Sequence, residues 1–541
     1  MHPPEAEGKE AQYLRDLYIT DPRYDKQRLE EAKGGILPAA CEWILSQAAW
    51  QTWRYDTDAR LLWIKGGPGT GKTMLFGYII DQVVSGMGED DEIAYFFCEE
   101  GNRETSSASA VLRGLCYMLI TRSKTPDKRL LDIVGEVCDG AGAKAFDGPG
   151  AWYRLEKMFR MILRSLGTKR IGGTIFLLVD ALNECSENLQ NLLRLVVDLT
   201  GSEDALRGIK WLLTSQRGSS ISRTLNIGGA GTRSGMDLDD YSEHRLKALD
   251  SFVDHCTKRL TSLQNGLDFE EVRNQLRGKI GRDNSFLYTA LLAASAQRAR
   301  GGKEVAEILE NAAEGIAGLY EQTIDRINHL EDDIRRECLE VLGVVAAAYR
   351  SLHHSELHAL TSIESDETGR RVIQECDAFF VVNNNGDAQI VNQSARDFLN
   401  QSALIPSMDE RHRRLFSKSL KTMERLLGRD VCQLVHPGYA TVDIKPEQLA
   451  QLEGVGYACE YWIEHLLAFK CGNLEPKDAE AVGRVLKNKF LNWVEVMSVL
   501  GNGRQAVLPW SKLVKFLQVR PSRILSRQQE VFSSSSRRLS P

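Results

Sequence analysis

The segment from Gly66 to Thr73 constrains the fold and the chemistry of this chain more than any other part of it. It reads GGPGTGKT and matches the pattern G-x-x-x-x-G-K-[ST] in full, with Gly71 and Lys72 at fixed positions. Glycines here let backbone N–H groups close around phosphate oxygens, and a helix that starts at the lysine points its positive N-terminus at them. The segment therefore predicts a loop that binds the phosphates of a nucleotide.

The side chains of this loop have expected roles. Lys72 balances the charge of the β- and γ-phosphates and takes part in catalysis, and the Thr73 hydroxyl is a ligand for Mg²⁺. An apolar run at 61–65 precedes the loop and a helical pattern at 71–84 follows it, so an exposed glycine turn is the weaker interpretation. The residues expected to contact the nucleotide are Gly66, Gly67, Pro68, Gly69, Thr70, Gly71, Lys72 and Thr73.

Apolar runs and helical patterns alternate along the chain after this loop. The further strands are predicted at 93–98, 174–179 and 209–214, and the helices between them at 109–120, 152–166 and 189–199. Such alternation is typical of a mostly parallel sheet covered by helices on both faces. We therefore predict an α/β P-loop NTPase fold, with the nucleotide at the carboxyl edge of its sheet.

Two acidic residues follow one of these predicted strands. The run TIFLLVD ends at Asp180, and Glu184 stands four residues later. An acid at the end of a buried strand can hold Mg²⁺, and a second acid can take a proton from the attacking water. We therefore predict Asp180 as a Mg²⁺ ligand together with Thr73, and Glu184 as the catalytic base. The alternative is that Asp180 only caps the next helix.

A cation ends the last of the predicted strands. The run KWLLTSQR finishes with Arg217, which the parallel arrangement places at the same edge of the sheet. An arginine there can contact the γ-phosphate of a bound nucleotide, and an ordinary surface arginine is an equal alternative.

The second half of the chain has a different pattern. Helices predicted at 333–348, 354–363 and 368–375 precede two short strands, 378–383 and 388–391, across the turn Asn384-Asn385-Gly386, which indicates a winged helix. The predicted divisions are a polar lead-in at 1–18, a nucleotide-binding domain at 19–239, a helical domain at 240–330, a winged-helix domain at 331–405, a C-terminal helical domain at 406–520 and a disordered tail at 521–541.

Composition limits the partners of the chain. Its 541 residues, 43% of them hydrophobic and 26% charged, are typical of a folded protein with several domains. The net charge of −6 gives no electrostatic footprint for nucleic acid. Eleven scattered cysteines without a C-x-x-C pair indicate reduced, buried thiols, and no secretory signal or membrane-length apolar stretch is present, so we expect a cytoplasmic location.

The pair His354 and His358 resembles a zinc site only in its spacing. Its order, H-x-E-x-H, is not the H-E-x-x-H of zinc proteases, and no third ligand stands out. We therefore predict no metal other than Mg²⁺.

With these motifs in place, the sequence resembles the fungal NACHT branch of the STAND signalling NTPases, which includes vegetative-incompatibility proteins. The resemblance runs through Thr20–Lys26 and Leu61–Gly66, and then through residues 95–98, 110–115, 174–184, 318–321 and 393–399. It implies a switch that is closed with a nucleoside diphosphate, opens on exchange for a triphosphate, associates with copies of itself and activates an effector or sensor partner. It implies ATP and ADP or GTP and GDP as the nucleotides.

The chain departs from the family at two positions. Asn183 stands where relatives usually have an acid, so the water-activating role falls on Glu184 alone and hydrolysis is expected to be slow. Asn392 stands where relatives usually have the histidine that contacts the diphosphate; asparagine can still donate a hydrogen bond, but it cannot become cationic. We also expect a core without the C-terminal repeat array of several relatives.

Other classes of function remain open at this point. A continuously cycling ATPase or a P-loop kinase could use Glu184 and Lys72, although no acceptor pocket or arginine-rich lid is evident. A DNA-binding regulator is disfavoured because Arg370 and Arg371 are an isolated pair of cations in the winged helix.

Overall fold

The computed structural model describes residues 9–32, 35–100, 102, 104–122, 127–138, 145–146, 150–167, 173–201, 208–225, 232–264, 266–281, 284–363, 365–382, 386–434, 444–469, 475–500 and 510–514. The predicted disordered tail, the start of the polar lead-in, Cys471 and the turn residues Asn384 and Asn385 lie outside this set. The chain divides into two compact units, Met1–Gln322 and Thr323–Pro541. The finer domain boundaries stay predictions.

The first unit is an α/β unit followed by helices. Its strands are β1 Leu61–Lys65, β2 Glu92–Phe97, β3 Ile175–Asp180, β4 Ile209–Ser215 and β5 Arg233–Asp237. Its helices are α1 Lys9–Leu17, α2 Pro22–Ala32, α3 Pro38–Cys41, α4 Ala48–Tyr55, α5 Lys72–Ser85, α6 Ala108–Ile120, α7 Lys128–Cys138, α8 Ala151–Gly167, α9 Leu189–Gly201, α10 Ser219–Leu225, α11 Ser242–Leu263, α12 Phe269–Lys279, α13 Phe286–Gln297 and α14 Gly302–Asn311, with short 3₁₀ helices at Glu42–Ser46, Leu182–Glu184 and Leu238–Tyr241. Helix α15, Gly315–Asn328, crosses the division between the units.

The five strands form one parallel sheet in the order β2-β3-β4-β1-β5. All residues of β3 and β4 are buried, as expected for strands with helices on both faces. The four strands predicted from apolar runs are present, each within one residue of its predicted ends. The α/β P-loop fold is therefore confirmed.

The fifth strand was not predicted. Residues 233–237 read RSGMD, and of these only Met236 is an apolar residue in the core. The strand forms because its backbone pairs in register with β1, for example Ile64 with Met236. A search for apolar runs misses such a strand, because backbone hydrogen bonds and not side-chain burial define it.

The second unit contains the predicted winged helix. Its elements are α16 Asp332–Ala347, β6 Leu352–His353, α17 His354–Leu360, α18 Asp366–Glu375, β7 Phe380–Val382, β8 Asp387–Ile390 and α19 Gln393–Gln401. The three strands pair antiparallel in the order β6-β8-β7, and β6 is an addition to the predicted hairpin. The helices and the two wing strands occur in the order that the sequence pattern predicted.

The helices that follow share a separate apolar core. They are α20 Met408–Leu426, α21 Pro446–Leu449, α22 Gly456–Ala468, α23 Pro476–Asn488 and α24 Phe490–Val499, with a 3₁₀ helix at Ala450–Leu452. Trp462, Trp493 and Trp510 are buried together in this core. These tryptophans are therefore packing residues of the C-terminal helices.

A buried polar cluster lies between α20 and α22. The Nδ1 atoms of His412 and His465 are 2.8 Å apart, and Nε2 of His465 is 2.8 Å from the Tyr457 hydroxyl. Burial lowers the pKa of both histidines, so both stay neutral and one imidazole donates to the other. The cluster satisfies polar groups inside an otherwise apolar core.

The cysteines of the described residues are buried thiols, as the sequence predicted. Each of the ten cysteines among the described residues is buried and free. Within the same residues, no group of three or more His, Cys, Asp or Glu side chains is arranged to hold a metal ion. Among the described helices, none is both long and apolar enough to cross a membrane.

Substitution of Gly114 by alanine tests how tightly α6 packs on the sheet. A Cβ atom at Gly114 would lie 2.6 Å from Cε2 of Phe96, inside the core. We expect Gly114→Ala to lower the free energy of unfolding by about 1–3 kcal/mol through overpacking. Chemical denaturation measures it.

The matched control is Gly278→Ala, in helix α12. A Cβ there meets nothing within 4 Å, so the substitution is expected to stabilise the protein by about 0.5–1 kcal/mol. Equal stability changes of the same sign in the two variants would contradict the packing described for α6.

Candidate functional site

The loop Gly66–Thr73 joins β1 to the N-terminus of α5. Gly69 and Gly71 have φ angles of +69° and +84°, a left-handed conformation that residues with a Cβ rarely adopt. These two glycines turn the chain back over the strand end, so that the first turn of α5 follows at once. The N-terminus of α5 and the backbone of the loop therefore lie together at the carboxyl edge of the sheet.

The polar side chains of the loop contact its own backbone. The Lys72 ammonium donates to the carbonyls of Gly66 and Gly67 at 3.0 and 2.7 Å, and the Thr70 hydroxyl donates to the Gly67 carbonyl at 2.8 Å. Lys72 therefore lies over the loop, where its charge adds to that of the helix N-terminus. This concentration of positive potential suits a phosphate group.

Asp180 is the last residue of β3, and β4 lies between this strand and β1, which leads into the phosphate loop. Its carboxylate is buried and accepts a hydrogen bond from the Thr214 hydroxyl of the neighbouring strand β4. The same hydroxyl accepts from the backbone N–H of Ala181 at 2.9 Å. Thr214 thus fixes both the acid and the turn after it, and sequence reasoning did not single it out.

That turn places Glu184 and Asn183 in different surroundings. Ala181 is left-handed, with φ 54°, and a short 3₁₀ helix follows it. Oε2 of Glu184 accepts from the backbone N–H of Glu100, after β2, at 3.0 Å. The side-chain oxygen of Asn183 accepts from the backbone N–H of Gln216, after β4, at 2.7 Å. The two side chains therefore bind to strand ends on opposite sides of β3.

Arg217 lies at the same edge of the sheet, as predicted, but it is paired with acids. It makes a bidentate ion pair with Asp237, through Nε at 2.9 Å and Nη2 at 2.8 Å, and a further ion pair with Asp239. The hydrogen bond from Arg217 holds the pKa of Asp237 below its usual range. Its contact with a γ-phosphate stays a prediction, and it requires a change of partner.

Helix α13 contacts the phosphate loop. The backbone N–H of Phe286 donates to the Gly69 carbonyl at 3.1 Å, and a Cβ on Gly69 would lie 2.5 Å from the Ser285 hydroxyl. This contact was not predicted, because nothing in the sequence around Ser285 indicates which element the N-terminus of α13 approaches. The helical region of the first unit is thus connected to the loop.

Asn392, the other predicted nucleotide contact, belongs to the second unit. There it is the N-cap of α19, and its side-chain oxygen accepts from the backbone N–H of Ala395 at 2.9 Å. The cap accounts for asparagine at this position within the winged helix itself. Contact with a nucleotide stays a prediction.

The donor set suits Mg²⁺ and a nucleotide. Mg²⁺ prefers oxygen ligands, and both predicted ligands, the Thr73 hydroxyl and the Asp180 carboxylate, are oxygen donors that would leave room for waters and phosphate oxygens. The left-handed backbone of Gly69 and Gly71 lets the loop turn tightly, as a loop whose N–H groups surround a phosphate requires. These residues therefore fit a Mg²⁺-bound phosphate group.

Comparisons with known proteins agree with this geometry. The family model described as Nephrocystin 3, N-terminal, matches residues 39–216, which include the phosphate loop and β3. The vegetative incompatibility protein HET-E-1 of Podospora anserina is 30% identical over an alignment 523 residues long, which covers 91% of this chain. The chain spans 37% of the length of that protein.

Two solved structures are similar at low identity. One is a STAND protein with a tetratricopeptide repeat sensor from Pyrococcus horikoshii, at 10% identity and a TM-score of 0.36, with 86% of this chain and 64% of that chain covered. The other is Cdc6p from Pyrobaculum aerophilum, at 10% identity and a TM-score of 0.28, with 74% of this chain and 95% of that chain covered. At these scores neither likeness supports a functional inference.

The sheet order, the phosphate loop and the buried acid at the end of β3 define a P-loop NTPase fold. The similarity to the Podospora incompatibility protein agrees with the resemblance to fungal NACHT-type STAND NTPases that the sequence motifs indicated. The resemblance found in the sequence is therefore confirmed.

Substitution of Thr214 tests how Asp180 is held. We expect Thr214→Val to lower the free energy of unfolding by about 1–3 kcal/mol, because the Ala181 N–H and the Asp180 carboxylate each lose a buried partner. Thr214→Ser keeps the hydroxyl and serves as the control. Urea denaturation compares the two, and equal losses in both variants would contradict the role of the hydroxyl.

Proposed function

We propose that this chain is a Mg²⁺-nucleotide-dependent signalling switch that hydrolyses its nucleoside triphosphate slowly. The observation that carries the proposal is the joint placement of the phosphate loop and Asp180 at one edge of the parallel sheet. The phosphate loop supplies backbone N–H groups and Lys72, and Asp180 with Thr73 supplies oxygen ligands for Mg²⁺. Either ATP and ADP or GTP and GDP fit this chemistry.

In the proposed hydrolysis, Glu184 is the catalytic base. The water oxygen attacks the γ-phosphorus, the bond to the β–γ bridging oxygen breaks, and Glu184 accepts the proton of the water, which leaves the diphosphate and inorganic phosphate. Lys72 offsets the charge that develops on the phosphate oxygens. With Asn183 in place of a second acid, the nucleotide persists long enough to mark a state.

The switch has a structural link within the first unit. Phe286, at the start of α13, is hydrogen-bonded to the carbonyl of Gly69 in the phosphate loop. A change in loop conformation on phosphate binding therefore acts directly on the helical region. We propose that diphosphate and triphosphate favour different arrangements of this region, and that Asn392 of the winged helix contributes to the diphosphate-bound state.

The proposed output is self-association that engages an effector or sensor protein in the cytoplasm. The support is the similarity to an incompatibility protein. The enzymatic alternative, a continuously cycling ATPase or a P-loop kinase, shares the same residues and differs in rate and in its need for an acceptor. Nucleic acid is not part of the proposal, since the net charge of −6 gives no support for it.

Two substitutions separate binding from turnover. Lys72→Ala is expected to abolish nucleotide binding, because the loop loses its side-chain cation. Glu184→Gln is expected to keep binding and to lower the hydrolysis rate at least about 100-fold, because the water loses its base. Fluorescence titration and phosphate release measure the two effects.

The control is Lys157→Ala, which removes an exposed lysine paired with Glu136 on the surface of the same unit. It is expected to bind and hydrolyse nucleotide like the wild type. Unchanged nucleotide affinity in Lys72→Ala would falsify the phosphate-loop assignment.

The switch itself predicts a change of assembly. Light scattering after size exclusion is expected to give a larger mass with a non-hydrolysable triphosphate than with the diphosphate. The Glu184→Gln variant with the natural triphosphate is the matched sample. Because it should not hydrolyse the triphosphate, it is expected to assemble without a non-hydrolysable analogue. Identical mass and shape in both nucleotide states, with rapid steady-state phosphate release, would favour the cycling enzyme.

A further inference from the structure

Helix α2, Pro22–Ala32, carries the motif Thr20–Lys26 at its start, and the proposed function leaves this motif without a role. The motif fixes the N-terminus of the helix. Asp21 accepts from the backbone N–H of Arg23 at 3.0 Å, and Arg23 donates to the carbonyl of Thr121, at the end of α6, at 3.1 Å. Helix α2 is therefore anchored to the α/β unit at its first turn.

The same helix contacts two elements of the candidate site. Lys26 pairs with Asp81 of α5, the helix that follows the phosphate loop, at 2.9 Å. Arg28 pairs with Glu99, just beyond β2, at 2.8 Å from Nη2 to Oε1. One helix thus connects the phosphate-loop helix with the exit of the strand next to β3.

The Arg28–Glu99 pair is largely shielded from water. The side chains are 31% and 13% exposed, which makes the attraction stronger than that of a surface pair. Burial alone would lower the pKa of the Arg28 guanidinium, but the charges and hydrogen bonds of Glu99 and Asp25 outweigh it and raise that pKa. Oε2 of Glu99 is buried without a hydrogen-bond partner among the described residues, so Arg28 is what holds this carboxylate.

The residue after Glu99 contacts the proposed catalytic base. The backbone N–H of Glu100 donates to Oε2 of Glu184 at 3.0 Å. On the other side of Glu99, the backbone N–H of Cys98 donates to the Asp180 carbonyl at 3.2 Å. A displacement of Glu99 therefore moves the N–H group that orients Glu184, while the strand beside Asp180 stays paired.

We infer that Arg28 is a positioning residue for Glu184, which acts through Glu99 and the Glu100 N–H group. Helix α2 then sets the orientation of the base as well as the position of α5. The inference rests on the proposed function, because it requires Glu184 to activate water. It gives the Thr20–Lys26 motif a role, which is to anchor the helix that carries Arg28.

The test is single-turnover hydrolysis together with nucleotide affinity in the full chain. Arg28→Ala is expected to lower the hydrolysis rate at least about tenfold, since small displacements of a catalytic group have effects of this size. Its nucleotide dissociation constant should stay within about twofold of the wild type, because the phosphate loop is not altered. Arg28→Lys retains the charge and is expected to recover part of the rate.

A double substitution separates positioning from general damage. In the Glu184→Gln background, Arg28→Ala should cause no further loss of rate, since the group that it positions is already inactive. The matched control on the same helix is Gln27→Ala, which removes an exposed side chain that donates to Glu31 within α2, and it should hydrolyse like the wild type. If Arg28→Ala does not fold, Glu99→Gln breaks the same ion pair, and the hydrolysis rate of that variant tests the inference instead.

The outcomes are distinct. The inference is overturned, and the proposed function left intact, if Arg28→Ala and Glu99→Gln hydrolyse nucleotide at the wild-type rate. The same holds if Arg28→Ala lowers the hydrolysis rate by the same factor in the Glu184→Gln background as in the wild type. No nucleotide binding by the wild-type chain, or undiminished hydrolysis in Glu184→Gln, overturns the proposed function and the inference with it.

Discussion

The structure depends on one constraint. Backbone N–H groups must hold an anionic phosphate at the point where strand β1 ends and helix α5 begins. That requirement fixes the glycines of the loop, since Gly69 and Gly71 adopt a left-handed backbone there. Because all five strands are parallel, their carboxyl ends lie at the same edge, and every polar strand end is brought to the phosphate loop's side of the molecule.

The edge is organised by hydrogen bonds between neighbouring strand ends. Thr214 of β4 holds Asp180 of β3, and the N–H group of Glu100 beyond β2 holds Glu184. Each contact crosses one step of the sheet order and together they join the ends of β2, β3 and β4; the phosphate loop after β1 adds the fourth neighbouring strand. The Arg28–Glu99 pair extends the same chain of contacts to a helix outside the sheet. A buried acid in this setting needs its partners, because an unpaired carboxylate in the core is costly.

Sequence patterns were sufficient for the elements whose burial is continuous. The strands at 61–65 and 209–215 are apolar runs, and the winged helix follows from its periodicity and its turn. Strand β5 was missed because its residues are mostly polar and its pairing with β1 is a matter of backbone geometry. The ion pairs of Arg217 with Asp237 and Asp239 depend on that strand, so the sequence predicted the location of Arg217 but not its partners. The contact of Phe286 with Gly69 joins residues far apart in the chain, and no local signal indicates it.

The most direct test of the account is calorimetric titration of the wild-type chain with ATP, ADP, GTP and GDP, each with and without Mg²⁺. The account predicts saturable, one-to-one binding of at least one purine pair, with Mg²⁺ strengthening the binding of the triphosphate through Thr73 and Asp180. It also predicts the diphosphate as a ligand, since the loop is expected to bind the β-phosphate in either nucleotide state. Absence of binding for all four nucleotides in the folded protein would contradict it.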